Sequence, residues 1–338
     1  MNTRSPWFWV RLAGLVAVAA FFVWLLLAET PLEEIGQQLA SIPPWALLLG
    51  VGFLATGYFF RIVRWWVLLR ALDPSLPLSA PVWPFLVSIA LNNVLPFRAG
   101  DAVRIFGFRK RLSAPISRVF GTVLIERLAD LAVLAAVTAI GLAILGSEHG
   151  LAGLVLAVII ALGLGFGGLV VAIALSPWIL RWLARRGQSS GRLARLAGPA
   201  SSFMETLLVL RKGNLAAQLV GLSLLAWLFE GLVFVAIAQG LGIAAQGYAP
   251  WFSLGAGTLG TLIPSTPGHV GTFDYLASLG MQAFDVPAVQ AVAYALAVHA
   301  VLWLPLTAVG LGYLAVMGKR TALAPLAGRS LRTEEKQI

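Results

Sequence analysis

Three parts of the chain carry side chains able to handle a charged head group. The first reads Asn92-Asn93-Val-Leu-Pro96-Phe-Arg98-Ala-Gly100-Asp101-Ala-Val-Arg104. Proline and glycine interrupt a helix and free its backbone groups. Asn92 and Asn93 add amide donors and acceptors, and Arg98 and Arg104 suit phosphate oxygens, because guanidinium presents a planar fork of donors. A helix N-terminus beside the break adds a positive partial charge. The second part reads Pro264-Ser265-Thr266-Pro267-Gly268-His269-Val270-Gly271, with Asp274 three residues on. It offers two hydroxyls, an imidazole, a carboxylate and freed amides. The third part is a scatter of ionisable residues in apolar surroundings: Arg61, Arg64, Glu126, Arg127, Asp130, Glu230 and His299. Each such group costs about 2.5–3.5 kcal/mol on insertion into a bilayer, so each requires a reason.

Plainer readings stand beside the functional one. Arg61 and Arg64 lie near the end of an apolar run and could snorkel to the interface. Arg127 and Asp130 are i,i+3 neighbours and could pair on one face as a purely structural contact. Glu230 has no base within a helical turn, so its partner must come from another helix; the expectation is the side carrying Arg61. His299 could be a hydrogen-bonded packing residue. The two Pro/Gly breaks could do no more than pack their tips together. The functional reading makes all of these the walls of a polar cavity. No HExxH, Walker or GxSxG motif is present, and there are no cysteines. The three histidines are far apart, so no catalytic residue, metal site or cofactor is expected.

The elements that must position these groups follow from composition. The chain is 59% hydrophobic and 11% charged, with a mean hydropathy of +0.88. A soluble domain carries about 25% charged residues. The expectation is an all-α integral membrane protein. Six runs are long enough to span: 9–28, 45–70, 117–145, 151–175, 214–242 and 287–317. The first could be a secretory signal, but it is longer than the usual apolar segment and no cleavage site follows, so it reads as a retained span. The segments 82–108 and 250–284 are apolar but broken, and read as re-entrant hairpins, since broken backbone is tolerated at membrane depth only inside protein or beside water. The net charge of +10 belongs to topology and implies no nucleic-acid partner. Basic residues cluster at the N-terminus, around 98–118, around 181–212 and after 317, which places these regions and both termini in the cytoplasm. Acidic loops at 29–44 and 146–150 fall outside. The segment 196–213 reads as interfacial, and Gly163 with Gly167 as a close helix-packing pair.

The two broken segments also resemble each other. Leu95-Pro96-x-x-x-Gly100 matches Ile263-Pro264-x-x-x-Gly268, and Pro115 and Pro287 each precede a span. An offset of about 170 residues carries Arg127 onto His299, and the halves start on opposite sides, the trace of an inverted repeat with a site at the repeat interface. The expected organisation is one transmembrane domain, 1–317, made of repeats 9–145 and 151–317, followed by a basic cytoplasmic tail, 318–338.

The ordered motifs Asn92-x3-Pro96-x-Arg98-x-Gly100-Asp101-x2-Arg104, Glu126-Arg127-x2-Asp130 and Pro264-x2-Pro267-Gly268-x2-Gly271-x2-Asp274 resemble the lysylphosphatidylglycerol synthase transmembrane family, the flippase-like half of the multiple peptide resistance factor. The resemblance implies lipid handling in the cell inner membrane, with membrane lipid as substrate. Stand-alone relatives are associated with lipid-linked sugar and polyprenyl pathways. Lysyl transfer is not implied, because no aminoacyl-transferase domain is expected here. Two positions depart from the family pattern: Asp274 stands where Glu is frequent, and His299 where Arg is usual, which puts a titratable group in place of a fixed charge. The function expected is a flippase or scramblase for an anionic or phosphate-headed lipid. Arg61, Arg64, Arg98, Arg104 and Arg127 would hold the phosphate. Asn92, Asn93, Asp101, Glu126, Asp130, Glu230, Ser265, Thr266, His269, Asp274 and His299 would complete the binding surface. Pro96, Gly100, Pro264, Pro267, Gly268 and Gly271 would shape the gates. The alternatives are an integral-membrane enzyme acting on a lipid-linked sugar, with Asp101, Asp130 or Asp274 as its carboxylate, and an anchor for a separate lipid-modifying enzyme. Oligomeric state is left open, a homo-oligomer included.

Overall fold

A computed structural model describes residues 6–28, 30–95, 99–107, 116–149, 174–182, 213–243, 247–263 and 266–334, with single positions at 171, 201, 204, 205 and 208. The 151–175 run with its Gly163–Gly167 pair, most of 196–213, and Pro96, Arg98, Pro264 and Ser265 lie outside these residues. All regular elements described are helical. Helices α1 (Pro6–Leu27), α2 (Leu32–Ala40), α3 (Pro44–Arg70) and α4 (Ser79–Val94) come first. Then α5 (Ala99–Ala102) runs into a π-turn (Val103–Gly107), followed by α6 (Ile116–His149) and α7 (Gly213–Gly240). The last are α8 (Ala249–Gly260), a 3-10 turn (Pro267–His269), α9 (Thr272–Gln282) and α10 (Ala288–Glu334).

Four of these, within α3, α6, α7 and α10, are long and apolar enough to cross a bilayer, and α1 with α2 makes a fifth if that bent pair is one span. The chain turns by 83° between α1 and α2. The 29–44 segment, read from its acidic residues as a loop, contains α2. Its Ile35 is buried while Glu33 and Glu34 stay exposed, a two-faced pattern too short for a nine-residue helix to announce by periodicity.

Both broken segments fold back on themselves. Helix α4 stops at Val94 because Leu95 precedes Pro96 and is driven to extended backbone, φ −108° and ψ 142°. The chain then reverses, and α5 lies against α4. At Gly100 the backbones approach so closely that a Cβ would run into the carbonyl oxygen of Ser88 and the side chain of Asn92. In the second segment α8 and α9 pack face to face through small residues, with Gly280 against Ser253 and Gly257 against Ala277. Their connection needs left-handed backbone, with φ of 73° at Gly268, 59° at His269 and 87° at Gly271. At about 1.5 Å per residue, neither α8 nor α9 can span a bilayer alone.

Helices α3 and α7 pack antiparallel. Ala46 meets Gly240 at one end, Gly57 meets the Ala226 carbonyl, and Arg64 reaches Ser223. Helix α4 runs antiparallel to α10, with Trp83 stacked on Tyr313 at 4.0 Å between ring centres and Asn93 bonded to Thr307. Helix α8 lies against α6 where Phe252 meets Gly141 and Thr138 meets Gly255. The first hairpin thus rests on α10 and the second on α6. One buried cluster, with Leu54, Phe234, Leu254, Phe273 and Val298, lies beside the second hairpin. Another, with Ile62, Trp65, Phe85, Ile105 and Val123, lies beside the first.

The close approach at Gly100 makes a prediction. Gly100→Ala is expected to destabilise the protein by about 1–3 kcal/mol through overpacking against backbone that cannot move aside. Gly52→Ala, where nothing lies within 4 Å, is expected to be neutral or slightly stabilising. Thermal unfolding of the purified proteins in detergent compares them.

Candidate functional site

The charged residues inside the apolar helices assemble into one ladder. Arg104, carried inward by the π-turn, pairs with Glu126 of α6. Glu126 also lies 3.7 Å from Arg64 of α3. Arg64 donates to both carboxylate oxygens of Asp130, at 2.7 and 3.1 Å. Asp130 then meets Arg61 at 3.4 Å, and Arg61 reaches Glu230 of α7 at 2.5 Å. Ser223 accepts from Arg64 at 2.9 Å, and the indole of Trp227 donates to Asp130 at 3.0 Å. Aromatic faces complete the surroundings. The Arg104 guanidinium carbon sits 3.5 Å from the Trp65 ring centre and 4.5 Å from that of Phe85, and that of Arg61 sits 4.4 Å from Trp227. Cations over aromatic faces are favoured more strongly when desolvated. Three arginines and three carboxylates balance, which is how ionised groups persist away from water.

A fourth pair closes this set at its more exposed edge. Arg127 donates to both oxygens of Asp101 at 3.0 Å. Its side chain is 32% exposed and that of Asp101 19%. Asp101 also accepts from Ser88 at 3.2 Å and from Asn92 at 3.1 Å, while its own N–H donates to the Asn92 side-chain oxygen. The first hairpin is therefore tied shut and tied to α6 by one carboxylate. The i,i+3 pairing of Arg127 with Asp130 does not form. Partners from other helices displace it, because two arginines on α3 outcompete one on the same helix for Asp130, and Asp101 takes Arg127.

The second hairpin has a matching pair. Asp274 reaches back from the first turn of α9 to accept the Gly271 N–H at 2.9 Å, the carboxylate half of a capping box. Its other oxygen lies 2.7 Å from Nδ1 of His299 on α10. An ionised carboxylate only accepts, so Nδ1 carries the proton in that arrangement. The Phe273 ring packs on the imidazole. One turn along α10, Trp303 donates to the Asn93 carbonyl at 3.3 Å, and a Cβ on Gly268 would meet the same indole nitrogen. The tips of the two breaks thus adjoin across Trp303.

Of the residues singled out in the sequence, Arg61, Arg64, Arg104, Glu126, Asp130 and Glu230 form the ladder. Asn92, Gly100, Asp101 and Arg127 form its rim. Asn93, Pro267, Gly268, His269, Gly271, Asp274 and His299 gather at the second break, with Thr266 leading into it. The Arg61–Glu230 contact is the one expected. Sequence reasoning missed Ser88, Ser223, Trp227, Trp303 and Thr307. A helical signal existed for most of them. Ser223 and Trp227 share a face with Glu230, and Trp303 and Thr307 share one with His299, each at spacings of three or four residues. Among the described residues no group of three His, Cys, Asp or Glu side chains converges to hold a metal ion.

Asp130 anchors two arginines, so removing its charge leaves the ladder with three arginines and two carboxylates in apolar surroundings. Asp130→Asn is expected to cost about 3–5 kcal/mol of stability, as for other broken buried pairs. Arg118 and Glu205 pair at 2.9 Å, but their side chains are 37% and 44% exposed. Arg118→Ala is expected to cost less than about 1 kcal/mol. Unfolding midpoints of the purified variants measure both.

Comparison with known proteins agrees with this architecture. Over 322 residues the chain is 27% identical to a protein named glycosyltransferase AglD from Haloferax volcanii, an alignment covering 86% of this chain and 51% of that protein. The chain therefore spans about half the length of the curated relative it matches. Residues 11–310 match the lysylphosphatidylglycerol synthase TM region, a stretch that runs from within α1 to within the apolar part of α10. This multi-pass membrane protein belongs to the lysylphosphatidylglycerol synthase TM region family.

Proposed function

We propose that the chain moves a phosphate-headed lipid between the leaflets of the cell inner membrane, and that its two halves form an inverted repeat around the polar site, with both termini in the cytoplasm. Helices α3, α4, α5 and α6 begin at residues 44, 79, 99 and 116, and α7, α8, α9 and α10 at 213, 249, 272 and 288, each about 170 residues later. The corresponding helices α3 and α7 run antiparallel, as an inverted pair must. The same offset relates the Arg127–Asp101 and His299–Asp274 pairs, one per hairpin. These observations support re-entrant hairpins that enter from opposite faces, with a head group passing between them while its tails stay in lipid.

The observation that carries the reading is the partly exposed Arg127–Asp101 pair at the mouth of the first hairpin. A phosphate can take over the Nη2 donor face of Arg127 as Asp101 turns to Ser88 and Asn92. Arg61, Arg64 and Arg104 are engaged with carboxylates and buried, so their part is to hold α3, α6, α7 and the π-turn in register behind that face. Arg98 and Ser265 belong to the same proposed surface. A second reading follows from the relative's name as a glycosyltransferase and the half of its length outside the match: the domain serves a lipid-linked sugar reaction, either through its own Asp101, Asp130 or Asp274 or beside a separate enzyme.

Purified protein in liposomes carrying a fluorescent phosphate-headed lipid tests the first reading. Head-group movement well above that of protein-free vesicles is expected. Arg127→Ala is expected to slow it roughly tenfold or more, the loss of one charge-assisted contact of about 1.5–3 kcal/mol. Folded protein that moves neither glycerophospholipid nor polyprenyl-phosphate probes overturns the proposal. Turnover of a lipid-linked sugar by that same protein would install the second reading.

A further inference from the structure

The corresponding ion pairs of the two halves differ in one respect. At the first hairpin the cation is Arg127, which stays charged at any physiological pH. At the second it is His299, a residue type whose charge changes between about pH 5 and 8. We infer that His299 with Asp274 is the site at which a proton enters the transport cycle, latching the second hairpin to α10 when bound and loosening it when released. The inference rests on the transport reading above and adds its energy source.

The geometry suits a latch. Asp274 is nearly buried, with its side chain 2% exposed, while that of His299 is 15% exposed, so the imidazole is the more accessible member. Asp274 holds the N–H of Gly271, the residue that closes the break and starts α9. A change at Asp274 is therefore delivered to backbone already in left-handed conformations at Gly268, His269 and Gly271. Trp303, one turn from His299, touches Asn93 at the other break, so movement of α10 against α9 is felt at both hairpins. A proton taken from water onto Nε2 of the neutral imidazole turns its hydrogen bond to the Asp274 carboxylate into an imidazolium–carboxylate pair. Its release to the opposite side restores the starting state, and no other species is consumed.

Few other groups can answer for a pH response here. On α10 itself the buried Tyr294 is the titratable neighbour. From α9 come Asp274 and Tyr275, the latter packed on Phe22 of α1. The 3-10 turn contributes His269, and α4 contributes only uncharged Asn93. Helices α3 and α7 bring Arg61 and Glu230, engaged with each other, together with Tyr58 beside Arg61. Glu33 and Glu34 of α2 point to solvent. Among the described residues the ion pair made by His299 is with Asp274.

The chain has no cysteine, so Val270→Cys carries a single spin label at the exposed tip of the second hairpin. The labelled full-length protein, in lipid nanodiscs, is followed by electron paramagnetic resonance from pH 5 to 8. An ordered label at low pH that becomes mobile as pH rises is expected. His299→Arg should hold the label ordered throughout, His299→Gln should leave it mobile throughout, and His269→Gln should keep the transition. A label insensitive to pH, or a transition that survives in His299→Gln, overturns the latch. In liposomes, lipid movement by the unsubstituted protein should follow an imposed pH gradient, and movement by His299→Arg should ignore it. Lipid movement indifferent to the gradient overturns proton coupling and leaves the transport reading standing. Absence of movement in protein that keeps its spin-label transition overturns the transport reading itself.

Discussion

Ionised groups in an apolar interior are tolerable only when each meets its opposite, and here, among the described residues, four arginines meet four carboxylates. Arg61, Arg64, Arg104 and Arg127 face Glu230, Asp130, Glu126 and Asp101 in turn. Everything else in the arrangement depends on that balance. It draws α3, α6, α7 and the π-turn to a common centre, because no two of the ladder pairs lie within one helix. A hydrophobic contact would hold the same helices with far less directional demand, since Leu tolerates rotation where a bidentate guanidinium does not. In lipid, where apolar packing gives little preference between neighbours, polar contacts of this kind specify which helices adjoin.

The breaks follow from the ladder. For Arg104 to reach Glu126, the first hairpin must turn back between α4 and α5 and tighten through a π-turn. That turn is possible because Gly100 lets two backbones touch. The second hairpin reverses through residues with positive φ instead, and its small residues let α8 and α9 lie close. Both hairpins end at a carboxylate that accepts backbone or amide donors and faces a basic partner on a long helix. The two ends resemble each other and differ in the basic partner, which is Arg127 at the first hairpin and His299 at the second.

Much of this was legible beforehand. The apolar runs, the Pro/Gly breaks and the intramembrane charges are properties of residue type and spacing, and they named almost every member of the site. The assignment of Glu230 to the Arg61 side followed from the internal offset. Pairing within the ladder was less accessible. Arg127 and Asp130 have ideal i,i+3 spacing, yet each pairs elsewhere, because spacing reports what one helix permits and says nothing of stronger partners on its neighbours. Helix α2 escaped notice for a related reason: its apolar face makes sense only against α10.

The sequence by itself determined that the chain must live in a bilayer, that two of its apolar segments are broken, and which residues must seek polar company, since these follow from the cost of placing charge and unpaired backbone in hydrocarbon. The tertiary structure alone decided who pairs with whom. It set Asp130 between two arginines, assigned Asp101 to Arg127, and brought the second break under His299 and Trp303. Those outcomes depend on competition among groups distant in sequence, which becomes defined only when the helices share one interior.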